Sequence, residues 1–269
     1  MNMRSNLIIT GAAGGIGRAT ALLCAEHGMG LTLIDLHRQA IEPVAREARE
    51  RGAGDVLSIS CDVSVETQIG ESIAASVERL GPPTGLVASA GIEINAPAHQ
   101  LNLVDWQRTL DVNLTGAFLV CKYTLAAMVD DATSGVGAGR SIVLVSSPAA
   151  LVGFAGGGNT AYAASKGGVS AMTRALALDY ADHDIRVNAV VPGSTDTDLL
   201  YAGVSPADLP DKRAAISNAA REQIPLRRLA DPREIAHAIH WLLSPHSSYV
   251  TGSHLMCDGG LMAKSANTF

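Results

Sequence analysis

The chain has 269 residues, 47% hydrophobic and 17% charged, with a formal net charge of −6, enough to bury a large core as one sizeable α/β domain or two small ones. That acidic balance leaves no basic footprint, which excludes phosphate-backbone binding as the main activity and removes nucleic acid as an expected partner. No stretch reads as a signal peptide, no apolar run approaches membrane-spanning length, and Cys24, Cys61, Cys121 and Cys257 lack metal-ligand spacing. The expectation is a cytoplasmic protein with no membrane contact, no metal and free, packed thiols. No linker, repeat or low-complexity tract divides it, so residues 1–269 read as a single domain.

The stretch Leu7 to Gly17 runs a short apolar strand into glycines and then a helix. Gly11 permits a tight turn off the strand. Gly15 and Gly17 remove side chains where a pyrophosphate would approach the backbone, and the helix N-terminus offers N–H groups to an anion. After a helix over about Gly15–His27, a second strand from Gly30 to Leu36 ends in Asp35. That carboxylate lies about 20 residues beyond the glycine loop, where an acid can hydrogen-bond both ribose hydroxyls of NAD and would repel the 2′-phosphate of NADP. Gly14 supplies no Lys or Arg to pair with such a phosphate, so both observations favour NAD.

A helix near Arg38–Arg51 leads to a third strand, Val56–Val63, whose end places Asp62 and Val63 beside an adenine. A helix at Ser64–Leu80 precedes a fourth strand, Gly85–Gly91, whose small residues Ala90 and Gly91 would let a cofactor lie against the strand end. The helical stretch Val104–Val129 contains Asn113 and Gly116, poor helix-interior residues that point to a local distortion. Asp130–Gly139 reads as a small-residue loop, and Arg140–Ser147 as a fifth strand ending in two serines. A glycine-rich loop follows, then a helix to about Ala181 that opens with Tyr162 and Lys166, four apart on one face.

Ile185–Val191 reads as a sixth strand broken by Pro192 and Gly193. The mixed segment Ser194–Gln223 suits a mobile flap over the strand ends better than a core helix. A helix at Pro232–Leu243 and a seventh strand, Tyr249–Cys257, complete the series. The strands are unbroken apolar runs alternating with helices, which predicts a doubly wound α/β sheet of about seven parallel strands with helices on both faces.

Chemically, tyrosine is a poor base near neutrality, with a pKa of about 10, unless a nearby cation stabilises its phenolate. Lys166 is placed to supply that charge. Tyr162 could then take the proton of a substrate hydroxyl as hydride leaves its carbon, with Ser147 hydrogen-bonded to the same oxygen.

These motifs together resemble the short-chain dehydrogenase/reductase superfamily across nearly the whole chain. The likeness rests on Thr10-Gly11-x3-Gly15-Ile16-Gly17, Asp62-Val63, Ser89-Ala90-Gly91, Val112-Asn113, Ser147, Tyr162-x3-Lys166, Pro192-Gly193 and Asp258-Gly259-Gly260. The resemblance implies a catalytic tetrad of Asn113, Ser147, Tyr162 and Lys166, in which Asn113 shapes a water relay to Lys166 and Lys166 holds the nicotinamide ribose. It implies a dinucleotide site drawn from Gly11, Gly15, Ile16, Gly17, Asp35, Leu36, Asp62, Val63, Ala90 and Gly91, completed by Tyr162, Lys166, Pro192, Gly193, Thr195 and Thr197. Thr197 would contact the carboxamide and Val190–Pro192 would line the ring. It also implies a homotetramer. Ala88-Ser89 stands where relatives carry two asparagines, the 15-residue step from Ser147 to Tyr162 is longer than usual, and Pro148 after the serine is unusual.

The expected activity is NAD-dependent interconversion of a secondary alcohol and a ketone, with a small-molecule substrate. Glu93, Ile94, Pro148, Ala149, Phe154, Asn159 and parts of Ser194–Ala202 are the expected pocket lining. The alternatives are a 3-oxoacyl-carrier-protein reductase, a halohydrin dehalogenase and a non-catalytic dinucleotide sensor. Asp35 speaks against the first, the intact glycine loop against the second and the complete tetrad against the third.

Overall fold

Apolar side chains on both faces of a strand require a layer on each side, and β1 (Leu7–Thr10) shows this within four residues. Leu7 and Ile9 enter one core cluster and Ile8 the other, the period-two alternation of a strand covered on both faces. The computed structural model describes residues 5–131 and 139–264. Most of the expected Asp130–Gly139 loop lies outside the described residues.

Seven parallel strands form one sheet in the order β3-β2-β1-β4-β5-β6-β7: β1, β2 (Leu31–Asp35), β3 (Val56–Ser60), β4 (Gly85–Ala88), β5 (Arg140–Val145), β6 (Ile185–Pro192) and β7 (His254–Cys257). One face carries α1 (Gly15–Glu26), α2 (Arg38–Glu50) and α8 (Pro232–Leu243), through Leu22, Ile41 and Ile235. The other carries α3 (Glu66–Leu80), α5 (Gly116–Val129) and α6 (Thr160–Asp179), through Ile73, Leu125 and Val169. The strand order reverses between β1 and β4, and their C-terminal ends open the crevice in which such sheets bind ligands. This is the expected doubly wound, Rossmann-like fold.

Several expected strands are shorter. β3 stops at Ser60, before Asp62 and Val63, and β4 at Ala88, before Ala90 and Gly91. β5 stops at Val145, before Ser146 and Ser147, and β7 begins only at His254. Asp62, Val63, Ala90, Gly91, Ser146 and Ser147 therefore sit on the loops just beyond the strand ends.

α4 (Leu103–Leu110) runs through a π-helical turn at Asp111–Thr115 into α5, the distortion expected around Asn113. Contrary to the expectation that no apolar run approaches membrane-spanning length, this composite helix of 27 residues is long enough and, over an 18-residue window of mean hydropathy 1.5, apolar enough. Its apolar character has a core explanation: Leu119, Val120, Leu125 and Met128 are buried in the sheet-facing layer. The Ser194–Gln223 segment, expected without a core helix, holds a 15-residue helix, α7 (Leu209–Gln223), with Pro210 in its first turn. It is indeed not a core helix, since Ala220 is its buried residue.

Candidate active site

The glycine turn after β1 is built by close backbone approaches. Gly11 has φ +66, and a Cβ there would meet Ala90 N at 2.8 Å. Gly15 has φ +51 and packs near the Thr197 methyl. Gly17 serves a different purpose from the one expected: a Cβ would lie 2.1 Å from the Gly11 carbonyl oxygen, so this glycine lets α1 seat against the turn, and it does not line the cavity. Thr10 closes the turn onto β4. Its hydroxyl accepts from Ser89 N (3.2 Å) and Ala90 N (3.3 Å), a local bonding pattern that does not call on the asparagine absent at Ala88.

The N-terminus of α1 has Gly14 as its cap, with no side-chain hydrogen bond. Its first N–H groups therefore have no capping side chain and open onto the cavity beside Gly14, Gly15 and Ile16. Asp35, at the end of β2, accepts from Ala13 N (2.9 Å) and Leu36 N (2.8 Å), which ties the acid to the glycine turn. Asp62 is turned toward Ser64, accepting from its N–H (2.9 Å) and hydroxyl (2.6 Å). Leu36, Asp62, Val63, Ala90, Gly91, Pro192, Gly193, Thr195 and Thr197 all line the same cavity. Thr195 donates to Gly193 O (3.0 Å), while Val190 is fully buried behind the lining.

At the other end of the cavity lie Ser147, Tyr162 and Lys166. Asn113, on the π-helical turn, clamps Ile92 through both its backbone groups (2.8 and 2.9 Å) and donates to Ser165 Oγ (3.1 Å). A Cβ at Gly91 would be 3.4 Å from Asn113 Oδ1 and 3.7 Å from Lys166 Nζ, so that glycine keeps the two side chains neighbours. Lys166 Nζ donates to Val145 O (2.8 Å). Ser146 turns inward to Ser170 (2.8 Å). Ser147, capping a short turn through Ala149 N (3.2 Å), lines the cavity.

The electrostatics depart from the expected tuning. Burial pushes the Tyr162 phenol up to about 12, opposed by its hydrogen bond to Ser147 and reinforced by the Glu93 carboxylate. Burial also holds Lys166 down to about 8, against a smaller opposing pull from Glu93. The ammonium sits 5.6 Å from the centre of the tyrosine ring, and desolvation of the phenol outweighs the expected stabilisation of the phenolate.

The cavity measures about 1690 Å³, beyond the roughly 300–1,000 Å³ of a single small-ligand pocket, which accommodates a dinucleotide and a substrate together. With free N–H groups at α1, the tied acid at Asp35 and an open span between, the residues fit a nicotinamide dinucleotide. Of the expected pocket residues, Glu93, Pro148 and Phe154 line the cavity, whereas Ile94 and Ala149 do not and Asn159 is buried outside it at the cap of α6. Arg108, Cys61 and Lys264 line it without having been singled out. Asp258 draws the C-terminal turn in by accepting from Gly260 N (2.9 Å) and Met262 N (2.7 Å), and only that turn brings Lys264 near.

Among the described residues no group of His, Cys, Asp and Glu could hold a metal.

The family model described as "Enoyl-(Acyl carrier protein) reductase" matches residues 11–262. The chain belongs to the short-chain dehydrogenase/reductase superfamily. It is 42% identical over 257 residues to cis-4-hydroxycyclohexanecarboxylate dehydrogenase of Sinomonas cyclohexanicum, covering 95% of this chain and 96% of that protein. It is 38% identical over 256 residues to a 3-oxoacyl-[acyl-carrier-protein] reductase of Thermotoga maritima, covering 95% and 96%. Among solved structures, levodione reductase superposes with a TM-score of 0.89 at 30% identity, covering 98% of this chain and 99% of that one. The superfamily is one of oxidoreductases that use nicotinamide dinucleotides, and dehydrogenases of cyclic alcohols and acyl-carrier-protein reductases are both among the relatives.

Proposed function

We propose that the protein is an NAD(H)-dependent dehydrogenase that interconverts a secondary alcohol and its ketone, with alicyclic alcohols as the leading substrate class. The observation that carries the reading is the single cavity holding Ser147, Tyr162 and Lys166 at one end and the glycine turn with Asp35 at the other. The name of the 42% identical relative supports the alicyclic class. A bound nicotinamide dinucleotide supplies the hydride acceptor or donor.

This chain's residues supply the rest. The N–H groups opening α1 hold a pyrophosphate, and Asp35 receives the adenosine ribose hydroxyls. Ser147 Oγ hydrogen-bonds the reacting oxygen and stabilises charge developing there. Tyr162 takes the hydroxyl proton at Oη as the phenolate during oxidation and, as the phenol that burial favours, returns it during reduction. Lys166, anchored on Val145 O, stands beside the ring, and Asn113 fixes the Ile92 backbone and the helix carrying Tyr162 and Lys166.

Initial rates on cyclic secondary alcohols, diols, sugar alcohols and 3-hydroxyacyl thioesters, each with NAD⁺ and NADP⁺, test the reading. The expected result is turnover of a cyclic alcohol with NAD⁺, lost in Tyr162→Phe with NADH binding retained. Wild-type-like turnover by that variant would sink the proton-transfer assignment. A 3-oxoacyl-carrier-protein reductase is the second reading, favoured by the 38% identical relative; turnover of thioesters with NADP⁺ would promote it. Exposed Phe118 on α5, Leu178 on α6 and Tyr249 before β7 support an assembly of several copies, which we propose is a homotetramer; sedimentation as a monomer would refute this.

A further inference from the structure

A second cleft, of about 370 Å³, lies on the outer side of the segment that walls the main cavity. Thr195 and Thr197 line the cavity, while Asp196 and Tyr201 line the cleft. Four arginines gather around it: Arg213 and Arg221 from α7, and Arg227 and Arg228 from the turn before α8, with Ser217 between them. Two are committed to other groups. Arg213 lies 3.8 Å from Asp196 Oδ1 and stacks 4.4 Å from the Tyr201 ring centre, and Arg228 grips Glu234 through two bonds of 2.6 and 2.7 Å. The guanidinium groups of Arg221 and Arg227 have no acceptor among the described residues.

Arg227 is also strained. Its φ is +59, and one other non-glycine among the described residues, Asp184, has a positive φ. Aspartate is among the types that enter this left-handed region readily and arginine is not. Glycine would hold the same turn without strain. A guanidinium kept where glycine would relax the backbone, beside a second unpartnered guanidinium in a cleft, is the pattern of a ligand clamp.

We propose that this cleft binds a phosphate group, carried as a monoester of a small molecule or free. Two planar forks approaching from separate elements, joined by a serine hydroxyl, match a tetrahedral dianion, which offers several acceptor oxygens in different directions. The volume exceeds that of a bare ion and leaves room for a small organic body. Occupancy links α7 to the turn before α8 and so fixes the wall of the main cavity, where Gln223 at the end of α7 contributes to the lining. The inference stands apart from the dehydrogenase reading.

Isothermal titration of the full chain in low-chloride buffer, with inorganic phosphate and with glycerol phosphate, tests it. One site per chain is expected. Arg221→Gln and Arg227→Gly should each weaken binding about tenfold or more, the loss of a charge-assisted contact. Arg227→Gly should melt no lower than the unaltered protein, because glycine accepts the positive φ; this separates lost binding from lost folding. Hydrogen exchange across Leu209–Gln223 should slow with ligand. Tighter binding of the ester identifies a phosphorylated metabolite and tighter binding of the ion identifies free phosphate; both support the site. No heat with either probe, binding that survives both variants, or binding displaced by NADH onto the glycine turn would overturn it.

Discussion

Replacing Gly17 by alanine would place a methyl carbon 2.1 Å from the Gly11 carbonyl oxygen and 2.8 Å from its carbonyl carbon. Ordinary contacts between heavy atoms lie near 3.5–4.0 Å, so α1 must withdraw from the turn by about 1 Å or more. Both obstacles are backbone atoms, and no rotamer change relieves them. Overpacking of this kind costs about 1–3 kcal/mol, and alanine's better helix propensity offsets about 1 kcal/mol. The net loss is up to about 2 kcal/mol, a fall in Tm of up to roughly 8 °C for a chain of this size. The effect on dinucleotide binding is larger, because the N–H groups that open α1 move with it. Losing two charge-assisted hydrogen bonds at about 1.5 kcal/mol each weakens binding at least about 100-fold. Gly14→Ala is the matched control for stability alone, since Gly14 itself lines the cavity: its φ is −145 and a Cβ there meets nothing within 4 Å of the protein, so its melt should shift far less than that of Gly17→Ala. Thermal melts of both variants and an NADH fluorescence titration of Gly17→Ala read the two effects. A Gly17→Ala protein with unaltered melting and NADH affinity would refute the packing argument.

Asp35→Ser removes the charge that would repel a 2′-phosphate, together with the bond to Ala13 N. The NADP⁺-to-NAD⁺ ratio of kcat/KM should rise at least about tenfold, and an unchanged ratio would contradict the assigned role of Asp35. Burial holds the imidazoles of His240 and His254 below their ordinary value of 6.5, with the neighbouring His27 and His237 adding to the effect on His240. Protonation therefore favours the unfolded chain, so stability is full above pH 6.5 and falls as pH drops below it. Melts from pH 7.5 to 5 should show that loss, reduced in His240→Gln; an identical pH dependence in the variant would count against it. Asp131→Asn breaks an ion pair with Arg140 whose side chains are 3% and 8% exposed, with an expected loss of about 3 kcal/mol in urea unfolding. Lys122→Gln breaks a pair that is half exposed and should lose less than about 1 kcal/mol. Equal losses would show that burial does not set the difference.

Much of this molecule was legible in the order of its residues because the decisive signals are local. The apolar runs and their alternation with helices predict the seven-stranded sheet. The glycines after β1, the acid ending β2 and the Tyr162–Lys166 spacing place the two ends of one cavity. Asn113 and Gly116 within an apolar helix predict the distortion that became the π-helical turn. What sequence could not decide depends on contacts between segments far apart in the chain. That Gly17 makes room for Gly11 instead of a ligand follows from how closely α1 seats on the turn. That Asn159 lies outside the cavity, while Arg108 and Lys264 line it, follows from the way the loops and the C-terminal turn fold over the strand ends. The sign of the Tyr162 shift is likewise tertiary: the spacing of the pair is written in the helix, but burial decides the direction of the shift. The outer cleft forms where α7 and the turn after it fold back beside Asp196 and Tyr201, which the run of arginines does not by itself reveal. Periodicity and turn chemistry act over a few residues and can be read from sequence, whereas desolvation and close packing depend on the whole surroundings and exist only in the folded chain.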